Sequence, residues 1–129
     1  MKRPATAIWQ GSLLGENGVL ASESYVLDPV PSEARTEDGG LVVTGPGEVM
    51  AAAHTQCLSM ALSGAFADPG YKPEKLTVSA QVTLGNILVH GWTITSSHLV
   101  LVAKGSGINT STFTATATDA KADCPCLVR

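Results

Sequence analysis

The chain has 129 residues, 44% of them apolar and 15% charged, with a formal net charge of -3. That length and balance suit one folded domain with a modest core, residues 1–129, and exclude a disordered tail. No Lys/Arg stripe is present, Lys2-Arg3 being too short to count as one, so a nucleic-acid surface is excluded as well.

The N-terminal third reads as strands. ATAIWQG is a short apolar strand, Gly15-Glu16-Asn17-Gly18 is a turn, and VLASESYVL follows, which together predict a hairpin. Residues 28–40 are rich in proline and charge and read as a loop holding a short edge strand near Arg35. LVVT is a brief apolar run, and Gly45-Pro46-Gly47 interrupts it.

The clearest helix follows over residues 48–66, with Pro46 near its start, where proline is tolerated. Apolar residues fall on almost every face, which predicts a helix buried nearly all round. No formal charge occurs between Val49 and Ala67. The run still holds His54, Thr55, Gln56, Ser59, Ser63 and Gly64 and is rich in alanine, so it reads as a core helix and not a membrane span. Asp68-Pro69-Gly70 ends it.

KLTVSAQVTL and WTITSSHLVLVA are two β-type runs with partial period-2 alternation, joined by the segment from Gly85 to Gly91. After Gly105-Ser106-Gly107, residues 109–123 read as a second helix. Its threonines are poor helix formers, but Phe113, Ala117, Ala120 and Cys124 step along one helical face. Pro125 stops it. Strands, helix, strands and helix in this order predict an α+β domain.

The chemistry centres on sulfur. Three cysteines, an odd number, with no apolar signal run behind Lys2-Arg3, point to reduced thiols in the cytoplasm and not to a disulfide framework. Cys57 alone, in mid-helix, would pack as a small hydrophobe. Cys124, on the apolar face of the other helix, offers a second thiol distant in sequence, as a reversible disulfide cycle requires. Arg35 is a loop cation of the kind that lowers a thiol pKa by stabilising the thiolate. Glu48, in the first helical turn, suits the helix dipole and is also able to orient Arg35. His54, Cys57, Cys124 and Cys126 make four potential zinc ligands, but their spacing is not that of a paired C-x-x-C site, and no metal is expected. His54 reads as a core or interface histidine.

The stretch GPGEVMAAAHTQCLSMALS resembles the central-helix motif of the OsmC/Ohr family of thiol-dependent hydroperoxide reductases, in its OsmC-like form. ATAIWQGSLLGENGVLASESYVL is similar to that family's opening hairpin, ARTEDG to its arginine segment, and WTITSSHLVLVAKGSGIN and AKADCP to its last long strand and second-cysteine helix. The resemblance implies antiparallel sheets around a buried central helix in an intertwined homodimer. It implies that Cys57 attacks an organic hydroperoxide and that Cys124 closes a disulfide with it, Cys126 being an additional thiol able to compete in that step. Arg35 would hold the thiolate, Glu48 would hold Arg35, and Met60 would line the pocket for the substrate's tail. It implies no cofactor, only a dithiol co-substrate such as a lipoyl group. Four features differ from the family pattern: Gly47 stands where the family has its glutamate, Arg35 to Cys57 is about two residues longer, Thr36 replaces an aromatic, and CPCLVR ends where a closing strand usually continues. The displaced glutamate makes a weakened relative, binding a hydrophobic molecule or sensing oxidants through its thiols, the alternative reading.

Overall fold

In a computed structural model, residues 2–11, 18–32 and 44–126 are described. The chain divides into two compact units, residues 1–49 and 50–129.

In the first unit, β1 (Ala5–Trp9), β2 (Gly18–Ser22) and β3 (Val30–Ser32) form an antiparallel sheet in the order β1-β2-β3. The expected hairpin is present, with Trp9 opposite Gly18. A side chain at Gly18 would meet Ile8 O and the Trp9 ring at 2.7 Å, so only glycine allows this approach. The second strand stops at Ser22, short of the predicted end, because Ser22 turns the chain: its O accepts from the Tyr25 N–H at 3.0 Å, and its Oγ accepts from the Leu27 N–H at 3.1 Å. A short strand lies at Val30–Ser32, within the proline-rich stretch; Arg35, near which an edge strand is expected, lies outside the described residues. Pro31, which lacks an N–H, fits its marginal position in the sheet.

α1 (Pro46–Ala67) begins two residues before the expected start, with Pro46 at its first position. It is not buried all round in this chain. His54, Leu58, Leu62 and Phe66, spaced by four, form one buried stripe, while Met50 and Met60 are exposed. Thr55 and Ser59 turn their hydroxyls back onto the carbonyls of Ala52 and Thr55, which satisfies them inside the helix.

In the second unit, β4 (Lys75–Ile87) and β5 (Gly91–Lys104) form a long antiparallel hairpin, longer than the two predicted runs. The register shifts between Thr83 and Leu84. Leu76, Val78, Leu99 and Leu101 turn to the core, and Val100 and Val102 face away from it. That is the period-2 alternation of a sheet with one buried face.

α2 (Thr110–Asp123) is capped by Asn109, whose Oδ1 accepts from the Thr112 N–H at 2.7 Å. Gly105 ahead of it has φ +149, and a side chain there would lie 2.8 Å from Tyr71 Oη. The predicted face of Phe113, Ala117, Ala120 and Cys124 meets the α1 stripe. The core comprises Leu58, Leu62, Phe66, Tyr71, Ala120 and Cys124. Phe66 stacks on Phe113 at 5.2 Å and meets Tyr71 edge-on at 5.3 Å.

Leu62 is fully buried. Leu62→Ala is expected to cost about 2–5 kcal/mol in urea denaturation; a cost under about 1 kcal/mol would mean that this core does not hold the second unit together. Asn109→Ala is expected to cost about 1 kcal/mol through the lost cap, read as a lower denaturation midpoint with an unchanged slope.

A candidate three-sulfur active site

Helical periodicity positions Cys57. It lies one residue before Leu58 in α1, so it borders the buried stripe and is half-buried. Proline positions Cys124. The residue before a proline is driven out of the helical region, and Cys124 has φ -62 and ψ 119, ending α2 with its N–H on Lys121 O. It still belongs to the apolar face of α2 and is 2% exposed. The packing of the two helices brings the Cys124 and Cys57 sulfurs, 67 residues apart in sequence, to 3.0 Å.

One hydrogen bond separates the properties of the two thiols. The Cys124 thiol donates to Cys57 Sγ, and this bond is the main reason that the Cys57 pKa is lowered. Burial opposes the shift, and hydrogen bonds from Cys126 reinforce it. Cys124 moves the opposite way: burial first, and then its bond to Cys57, raise its pKa. Of the pair, Cys57 is therefore the more acidic thiol and Cys124 the less acidic one.

Cys126 is the third sulfur. The residue as a whole is exposed, but Sγ turns inward, 3.7 Å from Ala53 O. Desolvation, followed by the neighbouring sulfurs, pushes its pKa up to about 11. All three sulfurs lie within 4.8 Å of one another. The C-x-C spacing was visible in the sequence, but its convergence on Cys57 was not.

The remaining predicted residues stand as follows. Arg35 lies outside the described residues. Glu48 is exposed in the first turn of α1 and accepts a hydrogen bond from Thr44 Oγ1 at 2.8 Å. Met60 is 69% exposed, three residues after Cys57 and so on a neighbouring face of α1. His54 is a buried core histidine: Nδ1 pairs with Ser97 Oγ at 2.9 Å, and Nε2 has no hydrogen-bond partner among the described residues. Ser97 was not anticipated, because nothing in a strand sequence marks which hydroxyl meets a distant helix. A cleft of about 420 Å³ opens between α1, β5 and α2, lined by Leu58, Leu62, Leu99, Leu101, Phe113 and Ala117 among others. None of the cysteines lines it, so it is not assigned to the reacting centre.

No family model matches the chain. Two curated proteins named peroxiredoxin OsmC, from Escherichia coli (strain K12) and Shigella flexneri, are each 35% identical over 119 residues, covering 92% of this chain and 82% of the relative. Among solved structures, the organic hydroperoxide resistance protein OhrB of Bacillus subtilis superposes with a TM-score of 0.74 at 20% identity, covering 95% of this chain and 86% of that one. An OsmC-like protein of unknown function from Vibrio cholerae also gives 0.74, at 15% identity, covering 98% and 91%. The α+β fold with antiparallel sheets is that of these structures, and the extent and identity of the curated matches establish that this chain belongs to the OsmC/Ohr family.

Proposed function

We propose that this chain is a peroxidase that reduces organic hydroperoxides through Cys57. The observation that carries the reading is the 3.0 Å approach of the Cys124 thiol to Cys57 Sγ. The names of the relatives support the reaction class: peroxiredoxin for the curated pair, and organic hydroperoxide resistance for the Bacillus subtilis structure.

The Cys57 thiolate attacks the terminal oxygen of the hydroperoxide. The O–O bond breaks, the alkoxide takes a proton and leaves as the alcohol, and Cys57 becomes a sulfenic acid. Cys124 attacks that sulfur as its thiol proton passes to the departing hydroxyl, which leaves as water. A disulfide needs its sulfurs about 2.05 Å apart, so the pair closes by roughly 1 Å. An external dithiol, of the lipoyl class, restores both thiols by exchange. No metal or organic cofactor is needed for these steps.

In this reading Arg35 holds the thiolate and polarises the peroxide, and Glu48 positions Arg35. Met60 contacts the apolar tail, consistent with its exposure beside Cys57. The protein acts as one domain in a homodimer: the exposed Met50 and Met60 of α1 and Leu88, Val89 and Trp92 around the β4–β5 turn leave apolar surface for a second copy to cover. A reducing compartment such as the cytoplasm suits three free thiols. Among the described residues, no helix is long and apolar enough to cross a membrane.

Wild-type protein is expected to consume cumene hydroperoxide with dithiothreitol as reductant, and Cys57→Ser to fall to the uncatalysed background. Equal turnover in the two would overturn Cys57 as nucleophile, and none in reduced, folded wild type would overturn the enzyme reading. A pH dependence follows from the lowered Cys57 pKa. Alkylation of Cys57 by iodoacetamide, followed peptide by peptide in the mass spectrometer, rises with pH as the thiolate forms. Cys124→Ala removes the donor and leaves the opposing burial in place, so its profile should move to higher pH. An unmoved profile would mean that Cys124 does not set the acidity of Cys57.

A further inference from the structure

The peroxidase cycle uses two sulfurs, yet three converge. We propose that Cys57, Cys124 and Cys126 together form a three-thiolate site for a thiophilic d10 cation of the zinc(II) or copper(I) class.

The geometry is close to what such an ion requires. Metal–sulfur bonds of about 2.3 Å at tetrahedral or trigonal angles separate neighbouring sulfurs by about 3.8–4.0 Å. Here every pair of sulfurs lies within 4.8 Å, and the Cys57–Cys124 pair stands at 3.0 Å. An ion would spread the short pair by about 1 Å and draw Cys126 inward, movements within the reach of side-chain rotation.

The donor set selects the ion. Among the described residues, the group consists of three cysteines, with no carboxylate or imidazole in it. His54, the sequence-level candidate for a fourth ligand, directs Nδ1 to Ser97 instead. Three sulfurs alone disfavour magnesium and calcium, which take oxygen, and favour soft d10 ions. A copper(I) ion is satisfied by three sulfurs, and a zinc ion would leave its fourth position open. Two of the ligands come from Cys124-Pro125-Cys126 just beyond α2 and one from mid-α1, so the ion would tie the two helices together.

The bound ion and the Cys57–Cys124 disulfide are mutually exclusive, because both need the sulfur lone pairs. Oxidation of the pair would therefore release the ion, and the ion would hold the thiols out of reach of peroxide. Only this consequence rests on the peroxidase reading; the site itself does not.

The test titrates reduced full-length protein with cadmium(II), a spectroscopic stand-in, in the absence of hydroperoxide. Thiolate-to-cadmium charge-transfer absorption counts the sulfurs bound. Wild type is expected to take one ion per chain with the intensity of three thiolates. Cys126→Ser should give the intensity of two and bind at least about tenfold more weakly, since loss of an outer-shell partner alone costs that much. Cys126 is exposed, so this variant should fold, and circular dichroism checks that it does. Wild type previously oxidised with diamide should take up no ion. Two-thiolate intensity in wild type, unchanged affinity in folded Cys126→Ser, or no binding at all would each overturn the site. Because no peroxide is used, failure here leaves the peroxidase reading standing, and failure of peroxide turnover leaves the cation site standing.

Discussion

The packing of α2 on α1 is the constraint on which the rest of this chemistry depends. Leu58, Leu62 and Phe66 form a stripe on one helix, and Phe113, Ala117 and Ala120 form the matching face of the other. Phe66 joins them by stacking on Phe113 and supports the turn after α1 through Tyr71. Apolar burial of this kind is non-directional, worth about 25 cal/mol per Å², but stepwise helical spacing makes its outcome specific. Cys57 borders the first stripe and Cys124 ends the second face, so burying the apolar residues is enough to bring the sulfurs together. The two sulfurs thus lie at the margin of the core.

That location also sets the electrostatics. Desolvation disfavours every thiolate, and it raises the pKa of Cys124 and Cys126. Cys57 escapes because the Cys124 thiol donates to it, a bond that stabilises its charged form and at the same time keeps the proton on Cys124. A single sulfur–sulfur contact therefore makes one thiol more acidic and the other less. Proline contributes as well: by ending α2 at Cys124, Pro125 turns the chain so that a third sulfur returns towards α1.

Much of this was legible in the chain itself. The two helices, the N-terminal hairpin, the long β4–β5 pair and the stepped face ending at Cys124 follow from period and from proline and glycine punctuation. The less accurate expectations have physical causes. α1 looked buried all round because alanine and methionine are apolar on any face, yet one chain covers only one stripe, leaving Met50 and Met60 exposed. The second strand is shorter than its pattern suggests: Tyr25, Val26 and Leu27 look β-like, but side-chain bonds of Ser22 turn the chain there.

The sequence by itself determined which residues are candidates for the chemistry, and the family to which the chain belongs, because a cysteine within a helical motif and a second cysteine before proline are local patterns. Tertiary structure alone decided which sulfurs meet. The 3.0 Å approach of residues 57 and 124, the inward turn of Cys126 and the diversion of His54 to Ser97 depend on how separate elements pack. Distances between segments come from the filling of a shared core, and no run of neighbouring residues encodes them.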